Sequence, residues 1–313
     1  MNNSIKNLND FIDKGSITSQ QILVVALCFV FNMLDGFDIT AMAVVASSVS
    51  SDLSLTDDLL GWIFSFALAG MMVGAMVLAP VADIIGRRAL IIFSLMLVGV
   101  SIFLTARADN LAPFIILRFV SGVGAGALLA CQASLAAEYS PEKYRALSVA
   151  LVTAGYPTGA MMTSVVASYI LPDYGWRSMF VFGGLITLGM VVVAWLMIPE
   201  SLKYLLEKQP KNALIKINEI LQKLKHSPID ELPESIKSHK NKTTLLNNMR
   251  MLLSPKYRSL SLTLWTAFCC AYATLYFLMS WIPKLMENAG YDMAAGRNAF
   301  FLFNLGGVIG IYL

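Results

Sequence analysis

Long apolar runs separated by short polar segments dominate the chain. A helix of about 20 apolar residues crosses the hydrocarbon core of a bilayer, and seven runs reach this length, followed by a shorter one. They predict spans at 21–49, 59–82, 89–106, 112–137, 146–171, 178–198 and 259–283, with a partial span at 298–313. Each span must satisfy its own backbone polar groups in lipid, so helices are expected. The runs are too long and too continuously apolar for barrel strands.

The composition agrees with an integral membrane protein. Hydrophobic residues make up 57% of the chain and charged residues 14%, whereas soluble domains have roughly 45–50% and 25%. The four cysteines all lie inside apolar runs without metal-ligand spacing. No nucleotide-binding, nucleophile-elbow or metalloprotease motif is present. We therefore expect no enzyme activity, no cofactor, no metal and no nucleic-acid partner.

Basic residues fall in alternate connecting segments. Besides about a dozen in the stretch 200–258, they are Lys6, Lys14, Arg87, Arg88, Lys143 and Arg145. The connection 50–58 has three aspartates and neither lysine nor arginine. Cytoplasmic loops of membrane proteins are enriched in lysine and arginine. We therefore expect a multi-pass protein of the cell's inner membrane, with its N-terminus in the cytoplasm.

This orientation divides the chain into four parts. They are a cytoplasmic tail (1–20), a six-helix transmembrane bundle (21–199), a cytoplasmic loop (200–258) and the start of a second transmembrane half (259–313). In the loop, Leu214, Ile217, Leu221 and Leu224 recur at helical spacing among mixed charges. This pattern predicts an amphipathic helix at the inner face of the membrane.

Three ionisable residues lie inside the spans, and they are the strongest functional signal. A charge at the centre of a spanning helix costs about 2.5–3.5 kcal/mol on insertion scales. Asp35 and Asp38 are three residues apart, so they project from one face of the first span. Arg118 lies six residues into the fourth span, near the depth of Asp38 at 1.5 Å per residue. An ion pair is expected if the first and fourth spans are neighbours.

These charges admit three interpretations. Two nearby carboxylates in a partly dry site cannot both ionise cheaply, so one is expected to hold a proton at neutral pH, as proton coupling requires. Arg118 is alternatively a binding group for an anionic substrate, because its planar fork fits a carboxylate. The third interpretation is a permanent Asp–Arg pair that only fixes helix packing. Gln132, Tyr156 and Tyr276 are further candidates for a cavity wall, although packing alone also explains each.

Four segments resemble the major facilitator superfamily, and within it the aromatic acid:proton symporters. The sequence LDGFD at 34–38 is similar to the DGxD signature of that group in helix one. The sequence DIIGRR at 83–88 resembles the superfamily's loop motif, with Ile84 where a basic residue is usual. RFVSGVGAG at 118–126 and YFLMSWIP at 276–283 resemble parts of helices four and seven.

The resemblance implies an all-α bundle of two six-helix halves around a central cavity. This chain would hold the complete N-terminal half and the first one or two helices of the C-terminal half, as a C-terminally truncated copy of a longer protein. The resemblance implies that substrate and proton coupling involve Asp35, Asp38, Arg118 and Glu138. It also implies a cytoplasmic conformational latch made of Asp83, Gly86, Arg87 and Arg88.

The expected function is symport of a small aromatic carboxylate with protons by alternating access, carried out by a monomer in the lipid bilayer. Two alternatives stay open. One is a related carrier of another organic acid or of a sugar-like metabolite. The other is a truncated membrane protein that does not transport, because the chain stops at Leu313 inside an apolar run.

Overall fold

Long helices joined by short turns make up the described chain. The computed structural model describes residues 17–232 and 252–312. Its helices are α1 (Ser19–Asp52), α2 (Asp57–Ile85), α3 (Arg87–Thr105), α4 (Leu111–Tyr139), α5 (Glu142–Tyr174), α6 (Arg177–Met197), α7 (Leu202–Lys208), α8 (Ala213–Lys223), α9 (Arg258–Asn288) and α10 (Met293–Tyr312). Seven of these described helices, α1 to α6 and α9, are long and apolar enough to span a membrane. The predicted all-α membrane class is confirmed.

The helices extend beyond the predicted apolar spans because polar residues continue their ends. At the start of α1, the Thr18 side chain accepts a hydrogen bond from Gln21 N, and the Gln21 side chain accepts one from Thr18 N. This capping box satisfies backbone N–H groups that have no partner inside the helix. The helix α10 begins at Met293, five residues before its predicted span. Most of the predicted tail 1–20 and residues 233–251 of the loop lie outside the described residues.

A proline makes α2 irregular near its end. The helix changes from α-helical to π-helical at Gly74–Leu78 and to 3₁₀ at Ala79–Val81. Pro80 has no N–H to donate to the carbonyl of Met76 one turn earlier, and its ring crowds that turn. The hydrogen-bond ladder therefore shifts register here, as bulges and short 3₁₀ segments do elsewhere.

The helices pack in pairs. Helix α1 lies along α5, α2 lies along α4, and α3 lies between α4 and α6. Helix α9 packs on α1, and α10 packs on α5. We call the end of the bundle that carries Arg87 and Arg145 the basic end, and the end that carries Asp52, Asp57 and Asp109 the acidic end.

The amphipathic helix predicted in the loop is present as α8. Its buried face includes Ile217, Ile220 and Leu221. These side chains join Leu205 of α7 and Leu135 of α4 in one apolar cluster at the basic end. The apolar face of α8 is therefore covered by the protein's own bundle.

Glycines bring α2 and α4 into backbone contact. A Cβ atom added at Gly70, Gly74, Gly122 or Gly126 would overlap a main-chain carbonyl oxygen of the facing helix. Each helix presents two glycines four residues apart, so both backbones lie in the groove of the other. This is the small-residue packing that takes the place of the hydrophobic effect inside membranes.

We expect Gly126→Ala to lower the stability of the bundle by about 1–3 kcal/mol, as overpacking does elsewhere. The new methyl group overlaps the Met71 carbonyl oxygen, so α2 and α4 must move apart. Thermal unfolding of the purified protein in detergent measures the effect. Gly189→Ala on α6 is the matched control, because no atom of the described residues lies within 4 Å of its added Cβ. Equal melting temperatures for the two variants would contradict this account of the contact.

Candidate transport site

An ion pair between α1 and α4 lies inside the bundle. Arg118 Nη1 is 2.9 Å from Asp38 Oδ1 and 3.3 Å from the Asp38 carbonyl oxygen. Both side chains are buried, at 1% exposure. The guanidinium carbon of Arg118 lies 5.0 Å from the centre of the Phe180 ring, whose face attracts a cation. The charges of Asp38 and Arg118 therefore compensate each other, and α6 contributes through Phe180, which the sequence analysis missed.

Close packing against α5 fixes the opposite side of α1. A Cβ atom at Gly36 would overlap the Tyr156 carbonyl oxygen, and one at Gly159 would overlap the Met33 carbonyl oxygen. Glycine is required at both positions because a larger residue would push the helices apart. The glycine between the two aspartates thus sets the distance from α1 to α5.

Asp35 is buried beside the ion pair but does not share it. Neither carboxylate oxygen has a hydrogen-bond partner among the described residues, and the side chain is 1% exposed. Asp38 lies one helical turn away on the same face. The main chain of Tyr156 packs against Gly36, the residue next to Asp35. The site therefore holds one compensated carboxylate and one that is not compensated within the described chain.

Two buried amides extend the polar face of α1 toward the basic end. Asn32 Nδ2 donates to the Val152 carbonyl at 2.6 Å, and Gln132 Nε2 donates to Asn32 Oδ1 at 2.8 Å. Asn32 was not among the residues predicted from the sequence. Its spacing of three residues before Asp35 was the available signal, because it puts Asn32 beside Asp35 on the surface of the helix.

A cavity of about 550 Å³ adjoins these amides. Its wall is formed by α1, α4, α5, α9 and α10, and it includes the three residues proposed for a cavity wall, Gln132, Tyr156 and Tyr276. Asn32 and Asn304 also line it, whereas Arg118 is not among its lining residues. Along α1, this wall lies on the basic side of Asp35. Arg118 therefore does not present its guanidinium to the cavity in this conformation.

At the acidic end, α9 contacts both α1 and α2. Glu287 accepts a hydrogen bond from Ser47. Lys284 Nζ lies 4.0 Å from Asp57 Oδ1. Trp281 meets Phe64 edge-on, with 5.5 Å between the ring centres. The gap between α9 and the first two helices is thus closed on the acidic side of Asp35, and the cavity lies on the other side.

A second polar cluster lies at the basic end. Arg87 Nη2 is 2.8 Å from Glu138 Oε1, and Ser201 Oγ donates to Glu138 Oε2 at 2.5 Å. Arg88 N donates to Glu200 Oε1 at 3.1 Å. The cluster joins the starts of α3 and α7 to the end of α4. Glu200 and Ser201 were not predicted from the sequence, because contacts between distant loops leave no periodic pattern.

The turn before α3 needs the glycine of the predicted latch. Gly86 has φ of +101°, which side chains rarely adopt, and a Cβ there would overlap the Glu200 carboxylate. Asp83 is exposed at the same end and does not take part in the ion pair of Arg87. Glu138 lies 20 residues from Arg118 on one helix, about 30 Å at 1.5 Å per residue. The structure therefore places Glu138 with the latch residues rather than with Asp35, Asp38 and Arg118.

Comparison with known proteins decides the family. The sequence model of the Major Facilitator Superfamily matches residues 26–313. This chain belongs to the Major Facilitator Superfamily. Among residues 17–232 and 252–312 of this superfamily member, no group of three or more histidine, cysteine, aspartate or glutamate side chains is placed to bind a metal ion.

Similar members of the superfamily include two curated transporters. The chain is 30% identical to the 4-hydroxybenzoate transporter PcaK of Acinetobacter baylyi, over 95% of this chain and 65% of that protein. It is 27% identical to the gallate transporter of Pseudomonas putida, over 97% of this chain and 67% of that protein. The chain thus spans about two thirds of the length of these relatives.

A solved structure shares the fold. The xylose transporter XylE from E. coli, in a partially occluded inward open conformation, aligns with a TM-score of 0.70. The alignment covers 93% of this chain and 71% of XylE at 15% sequence identity. At this identity the likeness concerns the arrangement of the helices. The predicted major-facilitator bundle is confirmed.

We expect Asp38→Ala to destabilise the protein by about 3–5 kcal/mol, because it leaves the buried Arg118 without its partner charge. The double variant Asp38→Ala/Arg118→Leu should recover much of this loss. Unfolding midpoints in detergent compare the three proteins. Asp109→Ala is the matched control, since Asp109 pairs with Arg177 at the exposed acidic end, where an ion pair contributes little. A single variant as stable as this control would show that the buried pair does not hold α1 to α4.

Proposed function

We propose that this protein is a secondary transporter that moves small aromatic carboxylates together with protons by alternating access. Two observations support the substrate class. Similar proteins of the superfamily carry the names 4-hydroxybenzoate and gallate transporter. The cavity of about 550 Å³ falls within the roughly 300–1,000 Å³ of small-molecule sites, and Tyr156, Tyr272 and Tyr276 in its wall offer aromatic faces.

The buried carboxyl of Asp35 carries the proposal of proton coupling. A carboxylate without a counter-charge or hydrogen bond is costly in a membrane interior. Asp38 has Arg118 as its partner, whereas Asp35 has no partner among the described residues. A proton on Asp35 removes the uncompensated charge at no cost to the pair beside it. We therefore assign the proton to Asp35 and a positioning role to Asp38 and Arg118.

This assignment favours one of the interpretations that the sequence left open. Release of Arg118 for substrate binding would require protonation of Asp38 and the loss of a 2.9 Å contact with full burial. Protonation of Asp35 breaks no contact within the described chain. The less costly step is thus the one at Asp35.

The contacts at the two ends of the bundle support the proposal of alternating access. In the present conformation, α9 meets α1 and α2 at the acidic end, and the cavity lies in the basic half. We propose that the protein lies in the inner membrane with its basic end in the cytoplasm. The cavity is then on the cytoplasmic side, and the conformation is inward-facing. We propose that a latch stabilises the cytoplasmic end while the carrier changes conformation. The latch consists of Asp83, Gly86, Arg87, Arg88 and Glu138. The carrier is proposed to act as a monomer.

Uptake of labelled acids tests the proposal. Cells without aromatic-acid carriers of their own, when they express this protein, should accumulate 4-hydroxybenzoate or benzoate and lose this ability when a protonophore collapses the gradient. Acetate, succinate and xylose are offered in parallel, so that carriers of other acids or of sugars are recognised. Uptake of only the non-aromatic compounds, or no uptake by protein that is present in the membrane, would reject the function.

Asp35→Asn should abolish accumulation against a gradient and leave the protein stable, because a neutral amide replaces a carboxyl that has no partner. The asparagine cannot release or accept the coupled proton. Exchange of labelled for unlabelled acid across vesicle membranes should continue, since it needs no net proton movement.

The variant Asp38→Asn distinguishes the role of Asp38 from that of Asp35. We expect it to reduce the amount of folded protein in the membrane, because it weakens the pair with Arg118. Asp52→Asn at the exposed acidic end should change neither proton-driven accumulation nor the amount of folded protein in the membrane. Proton-driven accumulation by Asp35→Asn at the wild-type rate would remove Asp35 from the mechanism.

A further inference from the structure

The amides of Asn32 and Gln132 form a directed chain in the cavity wall. Asn32 is 1% exposed and Gln132 is fully buried, and both line the cavity. Asn32 Nδ2 lies 2.6 Å from the Val152 carbonyl oxygen, and Gln132 Nε2 lies 2.8 Å from Asn32 Oδ1. Each amide carries both a donor and an acceptor, so its neighbours decide which group faces which.

The backbone of α5 fixes the direction of the chain. A backbone carbonyl only accepts hydrogen bonds, so Asn32 must turn its NH₂ group toward Val152 and Thr153. Pro157 strengthens this requirement, because it has no N–H to donate to the Thr153 carbonyl one turn earlier. Asn32 Oδ1 is then left facing Gln132. It must receive an N–H there, which forces the oxygen of Gln132 to point the other way.

Gln132 is therefore left with an acceptor that nothing in the described chain satisfies. Its Oε1 is buried and has no hydrogen-bond partner among the described residues. A buried acceptor without a donor raises the free energy of the folded protein. A ligand in the cavity that brings an O–H or N–H group to this wall removes that penalty, whereas a ligand without one does not.

We propose that Gln132 Oε1 accepts a hydrogen bond from a ring hydroxyl of the transported acid and thereby makes the carrier prefer hydroxylated aromatic acids. The inference rests on the proposed function and adds a specificity residue to it. A site built around a fixed acceptor discriminates against analogues that lack the donor, because the buried oxygen then stays unpaired. The amide of Asn32 is a positioning residue, since it acts through Gln132.

A series of ligands tests the hydrogen-bond direction in the unmodified protein. Benzoate and its 4-hydroxy, 4-amino and 4-methyl derivatives compete with labelled 4-hydroxybenzoate for uptake. The hydroxyl and amino groups are donors, and the methyl group has a similar size without a donor. We expect the two donors to compete about 3- to 10-fold better than the methyl and unsubstituted acids. Equal competition by all four acids overturns the inference.

Gln132→Leu should remove this preference by lowering uptake of 4-hydroxybenzoate more than uptake of benzoate. The ratio of 4-hydroxybenzoate to benzoate uptake should fall by about 3- to 10-fold, toward the ratio of a site without the acceptor. Thr153→Val is the matched control in the same wall, because the Thr153 hydroxyl already donates to the Val149 carbonyl at 2.8 Å. An unchanged ratio in Gln132→Leu, or an equal loss of both substrates, overturns the inference.

The outcomes for substrate class and for Gln132 are distinguishable. If the unmodified protein takes up none of the four acids, the proposed function fails and the inference falls with it. If it takes up all four without a preference for donors, only the inference fails. If the leucine variant does not reach the membrane, the ligand series alone decides.

Discussion

The cost of placing a charge in hydrocarbon governs the centre of this bundle. Arg118 is tolerated because Asp38 lies 2.9 Å from it and the Phe180 ring covers its guanidinium. This compensation requires α1, α4 and α6 to lie side by side, with the three side chains at the same depth in the membrane. The ion pair therefore constrains the packing of three of the six helices of the bundle. Asp35 has no such compensation within the described chain, and this difference between two aspartates one turn apart makes their roles separable.

Helix α1 carries three polar side chains at a spacing of three residues, and each has a different environment. Asn32 is held by the backbone of α5, Asp35 has no partner among the described residues, and Asp38 is held by Arg118. The two held residues fix the rotation of the helix about its axis. That rotation also sets the position of Asp35, so this uncompensated group is placed by its satisfied neighbours.

The sequence predicted the spans, the fold class and the depth at which Asp38 and Arg118 meet, because hydropathy and rise per residue are properties of single helices. It also gave Gln132, Tyr156 and Tyr276 as candidates for the cavity wall. It could not place Glu138 with Arg87, or find Phe180 and Glu200, because these contacts depend on how separate helices and loops pack together. Asn32 was within reach of the sequence, since the three-residue spacing to Asp35 is local.

Packing differs between the six-helix bundle and the helices that follow it. Within the bundle, glycines bring backbones into contact along α2 and α4 and along α1 and α5, so these pairs cannot slide without steric overlap. Helix α9 meets α1 and α2 at the acidic end through a hydrogen bond, a long ion pair and a ring edge. A small buried cluster of Ala160, Met279 and Phe300 also joins α5 to α9 and α10. Because packed cores shift between discrete arrangements rather than deform continuously, the proposed alternating access would move the six-helix bundle as one body against α9 and α10.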